Sequence, residues 1–426
     1  MQRRGLAGPG SSRSNPSGQT GCPMSSSRTM TTMTNGIDHG ALVEMVRDLV
    51  RVPSVFDPST GRSEAPAAAW VARAMRDFGW EPVVEQVAPG RPNVHCVIDG
   101  GRPGPTLLFE GHTDVVTEGD ASAWSHDPFA AVVHDGRLYG RGAADMKGGL
   151  VAALVAARAV ADRGPFAGRL MVAALCDEEG MMTGAKHFVA SGHLAEVDGI
   201  ICCEPEGGEV CACAKGALRL RIDLTGVMAH GAMPFVGANP VAALGRLLAA
   251  AAVLERELQD RHREHQYLGR PWITPTVVHA GQNTQMNVIP ACAAVWLDVR
   301  TVPGLGHDDL VAEIRALADD AGAELAVDAK LTVIDDRPAI DVPIDSHLVS
   351  SLCASHEAIT GRAARLGGVP GSTDGTVLTS RTGVPSVVYG PGGKWIAHQV
   401  DEYVELTDLA MHAEVYVEAA LRFTAS

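Results

Sequence analysis

From about Asp38 onward the apolar residues recur at helical spacing. Leu42, Met45, Val46, Leu49 and Val50 fall at i, i+3, i+4, i+7 and i+8, and Pro53 ends the stripe. Further along, short apolar runs bounded by glycine or charge occupy 106–109, 169–176, 199–203 and 385–389. Runs of that length predict strands buried on both faces. Between them, alanine-rich stretches at 147–161 and 184–190 predict helices, so the pattern is the strand–helix alternation of a mainly parallel α/β sheet.

The middle of the chain has a different texture. Residues 217–224 alternate apolar and polar, a long amphipathic helix is expected over about 240–263, and 293–299 alternate again. A further helix over 307–321 precedes a strand expected at 324–327. Alternating strands interleaved with helices predict a separate two-layer α+β unit inserted at 216–330, leaving 36–215 and 331–426 as the two halves of the main domain. Residues 1–35 carry arginine, serine, glycine and proline but no apolar h-region, so they are expected to form a disordered tail without a secretory signal. No repeat and no heptad array is present.

Charge narrows the function classes. The 426 residues hold 35 Lys+Arg against 50 Asp+Glu, a net charge of −15, and no basic run, which argues against a nucleic acid partner. No apolar stretch approaches the ~18 residues of a membrane span, so a soluble, cytoplasmic protein is expected. Nine cysteines, an odd number with Cys202 adjacent to Cys203 and Cys211 two before Cys213, suit neither a disulfide framework nor a metal knuckle and read as reduced, buried thiols. The glycine-rich segments lack the ending of a phosphate loop, and no GxSxG elbow is found.

In open α/β sheets, ligands sit beyond the carboxyl ends of the strands. There the chain places His112 and Asp114 in FEGHTD, Asp177, Glu178 and Glu179 in CDEEG, and Glu204 in CCEPEG. Asp145 lies in the glycine-rich GRGAADMKGG, just before a helix, and His398 follows the last buried run in GPGGKWIAH. Singly, each has an ordinary reading as a satisfied or solvated side chain. Together, several carboxylates at one sheet edge would repel one another unless a cation neutralised them, and two histidines with carboxylates suit a pair of divalent ions such as Zn²⁺, Mn²⁺ or Co²⁺.

The ordered set GHTDVV, GRGAADMKGG, DEEG, CEPEG, HGAMPFVGANP and GPGG followed by AH resembles the dinuclear metallohydrolase family of aminoacylase, acetylornithine deacetylase, succinyl-diaminopimelate desuccinylase and carboxypeptidase G. The resemblance runs from about residue 40 to the C-terminus. It implies a di-metal α/β catalytic domain with an inserted lid and dimerisation domain, two divalent ions per chain and a homodimer. Asp145 would bridge the ions, with His112 and Glu204 completing one site and Glu179 and His398 the other. Glu178 matches the general base acting on a metal-bridging water, and Asp114 the carboxylate that orients His112. His230 matches a histidine projected across the dimer interface to stabilise an oxyanion. Asn287 and Arg300 match polar lid positions, the arginine gripping a substrate carboxylate, against a purely structural role for both. Gly392 and Gly393 could offer backbone N–H groups to that carboxylate or form a plain tight turn. Ser372, Thr373 and Asp374 are read as a pocket-shaping loop or a simple turn.

The implied reaction is hydrolysis of a C–N bond, the amide of an N-acyl amino acid or of a small dipeptide-like compound. Two alternatives stand beside it: an aminohydrolase acting on an aromatic amine such as 5-nitroanthranilate, for which Met233, Phe235 and Trp395 could form a flat pocket, and an inactive ligand-binding relative. His126, His134, His187, His193, His262 and His265 have no motif partner and read as surface histidines.

Overall fold

The computed structural model describes residues 33–425. Residues 1–32 of the expected tail lie outside the described residues. The first helix, His39–Val50, begins where the Asp38 carboxylate accepts from the Gly40 and Ala41 N–H groups, and it buries Leu42, Val46, Leu49 and Val50 along the expected stripe.

The main sheet has nine strands. In spatial order eight of them are Ile340–Asp341, Glu209–Ala214, Ser386–Val388, Gly199–Cys202, Gly101–His112, Phe166–Leu175, Arg91–Asp99 and Val83–Ala88, while Arg365–Val369 pairs with Glu209–Ala214. The four central strands, Ser386–Val388 through Phe166–Leu175, are mutually parallel. Antiparallel strands flank them on both sides. The parallel four are the apolar runs of the sequence, and Leu107, Leu108 and Phe109 are completely buried. Burial of that kind contributes roughly 1.5–3 kcal/mol per side chain. Helix Gly148–Ala161 is apolar nearly all round because it is enclosed between the sheet and helix Leu406–Thr424.

The helix reaches the sheet closely because of Gly149. A Cβ there would lie 1.9 Å from the Cys203 carbonyl oxygen. The missing side chain therefore lets the first turn of this helix, which follows Asp145, lie against the strand end that presents Glu204.

The inserted unit is a four-stranded antiparallel sheet in the order Trp272–Ala280, Cys292–Thr301, Gly216–Thr225 and Asp328–Arg337. Leu218, Leu220, Ile222 and Leu224 alternate inward from Gly216–Thr225 against helices Pro240–Arg261 and His307–Ala323. Two sequence expectations change. Trp272–Ala280 was not anticipated, because Pro275 interrupts it and almost every residue on it is exposed, as befits an edge strand. The strand expected at 324–327 is instead a turn, in which the N–H groups of Leu325 and Val327 donate to the Gly322 carbonyl and Ala326 has φ +53°. The strand follows at Asp328–Arg337, where Ala329, Leu331 and Val333 alternate.

The chain passes between the two sheets at Lys215 and at 338–339, so the second crossing falls later than the boundary at 330 expected from the pattern. At Gly216 a Cβ would meet Thr301 Oγ1 at 2.2 Å and the Ala339 nitrogen at 2.6 Å. The two crossings are packed against each other. The eight described cysteines are free, and six are buried.

Replacing Gly149 with alanine is expected to destabilise the protein by about 1–3 kcal/mol through overpacking against backbone. Urea unfolding of both proteins would measure it, and an unchanged midpoint would show that the helix can withdraw from the sheet without cost.

Candidate metal centre

Five chain segments, carrying His112, Asp145, Glu178 with Glu179, Glu204 and His398, converge at the carboxyl edge of the parallel strands. His112 is the last residue of Gly101–His112, and its ring is fully buried. Nδ1 lies 2.9 Å from the Asp114 carbonyl oxygen, which can only accept, so Nδ1 carries the proton and the Nε2 lone pair faces the site. Nε2 is 3.1 Å from Asp145 Oδ1 and 3.4 Å from Glu204 Oε1. On the other side of Asp145, His398 Nε2 is 3.2 Å from Oδ2 and 2.9 Å from Glu179 Oε1. Asp145 therefore turns one carboxylate oxygen to each histidine.

Asp145 is held by its backbone. Ala143–Lys147 forms a turn that includes a cis Asp145–Met146 peptide. Glu402, completely buried, accepts through one carboxylate oxygen from the N–H groups of Gly142 (3.1 Å), Ala144 (2.9 Å) and Asp145 (3.0 Å). Its other oxygen takes the Arg141 guanidinium. The sequence reading missed Glu402, which lies more than 250 residues from this loop and in no motif.

Asp114 is placed differently from its expected role. Its carboxylate lies 3.6 Å from His112 Nδ1, and the imidazole is oriented instead by the Asp114 backbone carbonyl. The carboxylate accepts from the N–H groups of Glu178 and Glu179, both at 3.1 Å, so Asp114 orients the two glutamates. Asp177 points away from the histidines. Its Oδ2 takes the Thr183 hydroxyl at 2.7 Å and its Oδ1 the Arg91 guanidinium at 2.7 Å, fixing the turn that projects Glu178 and Glu179. Arg91 is also paired with buried Glu64 and stacks 3.8 Å over the Phe56 ring.

The electrostatics follow from burial. Glu204 is pushed up to about 8 by burial and then by the Asp145 charge. Glu178 is raised well above the usual carboxylate range by burial and by Glu204. Burial raises Glu179 as well. Burial also works against ionised Asp145, but hydrogen bonds from His112 and His398 outweigh it and hold its carboxyl below the ordinary value. Behind these residues sit Glu110 and Asp374. One Glu110 oxygen and both Asp374 oxygens are buried without a hydrogen-bond partner, and burial lifts Glu110 to about 7. Asp374 is thus behind the pocket at the start of a helix, whereas Ser372 and Thr373 line it.

Two donor sets result: His112, Asp145 and Glu204, and Asp145, Glu179 and His398, the donor atoms of each lying within 4.8 Å of one another. Borderline imidazole nitrogens combined with hard carboxylate oxygens fit Zn²⁺, Mn²⁺ or Co²⁺, and the excess of buried negative charge fits cations of charge +2. The adjoining cleft, of about 270 Å³, is walled by Glu178, Glu206, Lys394, Trp395 and the 369–373 loop. Lys394 Nζ lies 2.7 Å from Glu206 and 3.1 Å from Glu209.

The remaining expected site residues are not in this cluster. His230, Asn287 and Arg300 all belong to the inserted unit, and none lines the cleft. His230 and Asn287 are exposed, while Arg300 is forked onto Asp298. The Gly392 N–H, offered as a substrate donor, is spent on Asp408 at 2.7 Å. Gly393 has open space around its Cα. Of the apolar trio only Trp395 borders the cleft; Met233 and Phe235 are exposed on the inserted unit.

The fold and the paired His–carboxylate sets define a metallohydrolase. The profile of Peptidase family M20/M25/M40 matches residues 108–422, and the chain belongs to that family. It is a metal-dependent amidohydrolase acting on amide C–N bonds. It is 33% identical to a succinyl-diaminopimelate desuccinylase of Methylobacterium radiotolerans, covering 88% of this chain and 95% of that one. A desuccinylase of Phenylobacterium zucineum is 31% identical, with 90% and 98% covered. Among solved structures, an M20 family metallo-carboxypeptidase from Sulfolobus solfataricus superposes with a TM-score of 0.75 at 18% identity, covering 90% of this chain and 99% of that one. A Bacillus subtilis protein described as a dinuclear metal binding peptidase of the M20 family gives 0.68 at 19%, covering 90% and 97%. Both likenesses are of fold. Among the described residues no helix is long and apolar enough to cross a membrane.

Glu402→Gln exchanges an acceptor of three N–H groups for an amide and strands the Arg141 charge. Metal affinity is expected to fall about 10–100-fold, the usual cost of losing a group that orients a ligand. Competition with a chromophoric chelator measures it; unchanged affinity would show that the Asp145 turn holds its shape unaided.

Proposed function

We propose that the protein is a two-metal hydrolase that releases an amino acid from an N-acyl amino acid or a small dipeptide-like compound, with N-succinyl amino acids the first class to test. The observation that carries this reading is Asp145, whose two oxygens stand 3.1 and 3.2 Å from the Nε2 atoms of two histidines that are each paired with a second carboxylate. His112 and Glu204 would hold one ion, Glu179 and His398 the other, and Asp145 both. When bound, the ions would polarise the amide carbonyl and lower the pKa of an attacking water.

The chain's own groups would do the rest. Glu178 is buried, borders the cleft and has a raised proton affinity, which suits a carboxylate that takes a proton from water and gives it to the leaving nitrogen. The C–N bond breaks, leaving a carboxylic acid and a free amine. In the inserted unit, His230 Nδ1 accepts from the Ala232 N–H at 3.0 Å, which puts the remaining proton on Nε2, ready to donate to a developing oxyanion. Asp298 accepts from Nε and Nη2 of Arg300, leaving Nη1 for a substrate carboxylate. Because His230 is exposed and outside its own chain's cleft, we assign it to the active site of a second copy in a homodimer. Trp272–Ala280 supports this reading: it is a sheet edge with Trp272, Val277 and Val278 about half exposed. The aromatic aminohydrolase reading has less support, since its apolar pocket is not assembled around the cleft.

Glu178→Ala is expected to lower kcat by about 10²–10⁴-fold with metal content unchanged. Mass spectrometry of products after reconstitution with Zn²⁺, Mn²⁺ or Co²⁺ would show free amino acid from N-acyl substrates; normal turnover by the variant would overturn the mechanism, and ammonia released from anilines would overturn the substrate class. His230→Ala should cost about 10²–10³-fold in kcat, as loss of an oxyanion donor does. Mixing the two inactive variants under subunit exchange restores activity if His230 acts across the interface, and no recovery would overturn that assignment.

A further inference from the structure

A second group of side chains of metal-ligand type lies at the edge of the main sheet, on the outermost strand and its neighbour. Val83–Ala88 is the outermost strand, and Arg91–Asp99 pairs with it so that Val83 faces His95 and Glu85 faces Asn93. Glu85 and His95 are therefore diagonal neighbours on one face of the sheet. Helix Thr183–Ala190 packs on that same face, anchored by Asn93 Nδ2 donating to the Gly184 carbonyl at 2.9 Å. The turn after the helix brings in His193.

The donor atoms of Glu85, His95 and His193 all lie within 4.8 Å of one another. His193 Nε2 is 2.9 Å from Glu85 Oε2, and His187 Nε2 is 3.7 Å from the same oxygen. Donors about 2.0–2.1 Å from one tetrahedral zinc ion stand roughly 3.3 Å apart, so this spacing brackets that of a shared ion. The same spacing occurs in the catalytic pair of sets, where the contacts run from 2.9 to 3.4 Å.

A second observation separates this cluster from an ordinary surface ion pair. His95 is only 5% exposed, and its Nδ1 is buried with no hydrogen-bond partner. A buried ring nitrogen left unpaired is costly, and a bound cation would relieve it. The His95 ring is wedged edge-on against Phe188 at 5.3 Å between centroids and lies 4.3 Å from the His193 ring. Such an apolar wall keeps the imidazole neutral, the form that binds metal. Glu85 supplies the negative charge and the open side of the cluster is solvent-accessible.

We propose that Glu85, His95 and His193 form a third metal site, for a Zn²⁺-class ion, with His187 standing at its open position. The ion would tie the outermost strand, its neighbour and the turn after the helix together, without touching the catalytic cleft. His193 and His187 are thereby moved from ordinary surface residues to a site.

The test is zinc stoichiometry. Metal-free full-length protein and its His193→Gln variant are dialysed to equilibrium against the same buffered free Zn²⁺, and zinc per chain is measured by inductively coupled plasma mass spectrometry. The wild type is expected to hold about one equivalent more than the variant, as loss of one ligand from a three-ligand site opens it. Turnover of the two proteins should be equal. Equal zinc content would overturn the proposal, whether both chains hold two ions or three. Should His193→Gln fail to fold, Glu85→Gln removes a ligand from a partly exposed surface position and is read in the same way.

Discussion

Buried negative charge at the carboxyl edge of four parallel strands is the constraint from which the rest follows. Asp145, Glu178, Glu179 and Glu204 crowd one side of His112 and His398, with Glu110 and Asp374 directly behind. Two like charges 4 Å apart cost about 4 kcal/mol at an effective dielectric constant of 20. Two imidazoles cannot offset this many carboxylates. The guanidinium groups of Arg141 and Arg91 do not help, because Arg141 is already matched by Glu402 and Arg91 by Glu64 and Asp177. The protein spends its own cations one layer out, on holding the loops in place, and leaves the centre short of positive charge. Metal ions or protons must make up the difference.

That shortage explains the division of labour among the surrounding residues. The candidate ligands come from separate strand ends and loops, so their geometry rests on groups that bind backbone. Glu402 collects three N–H groups of the Asp145 turn, Asp114 collects those of Glu178 and Glu179, and Asp177 closes the turn beneath them. Gly149 lets the helix behind Asp145 come within reach of the strand carrying Glu204. The chain enters the inserted unit at Lys215 and leaves it at 338–339, two crossings packed around Gly216, so His230 and Arg300 belong to a unit with its own sheet and core. An arrangement of this kind suits a lid that meets its substrate by motion or from a neighbouring subunit.

The parallel core, the inserted α+β unit and the histidines and carboxylates gathered at the strand ends were legible in the sequence because each rests on local signals. Continuous apolar runs mark strands enclosed on both faces, and a histidine or carboxylate immediately after such a run is placed at the sheet edge by the strand itself. His112, Glu178, Glu179 and Glu204 were found in that way. The short flanking strands and the exposed edge strand carry no comparable signal, since half-exposed strands interrupted by proline look like loops. At 324–327 a short apolar run suggests a strand, yet the Gly322 carbonyl draws Leu325 and Val327 into the turn that ends the helix.

What the sequence determined by itself was therefore the chemistry available at the strand ends and the approximate order of the elements. Only the tertiary structure decided which groups hold that chemistry in place. Glu402, Glu64 and Arg91 act on partners far away along the chain, and a buried charge such as that of Asp374 is recognisable only once its burial is known. The same is true of His95 and His193. In the sequence they are two histidines almost a hundred positions apart; folding brings their rings to 4.3 Å because an antiparallel strand pair and a helix turn share one face of the sheet. Local pattern encodes elements, whereas the pairing of polar groups across elements depends on packing that no local pattern contains.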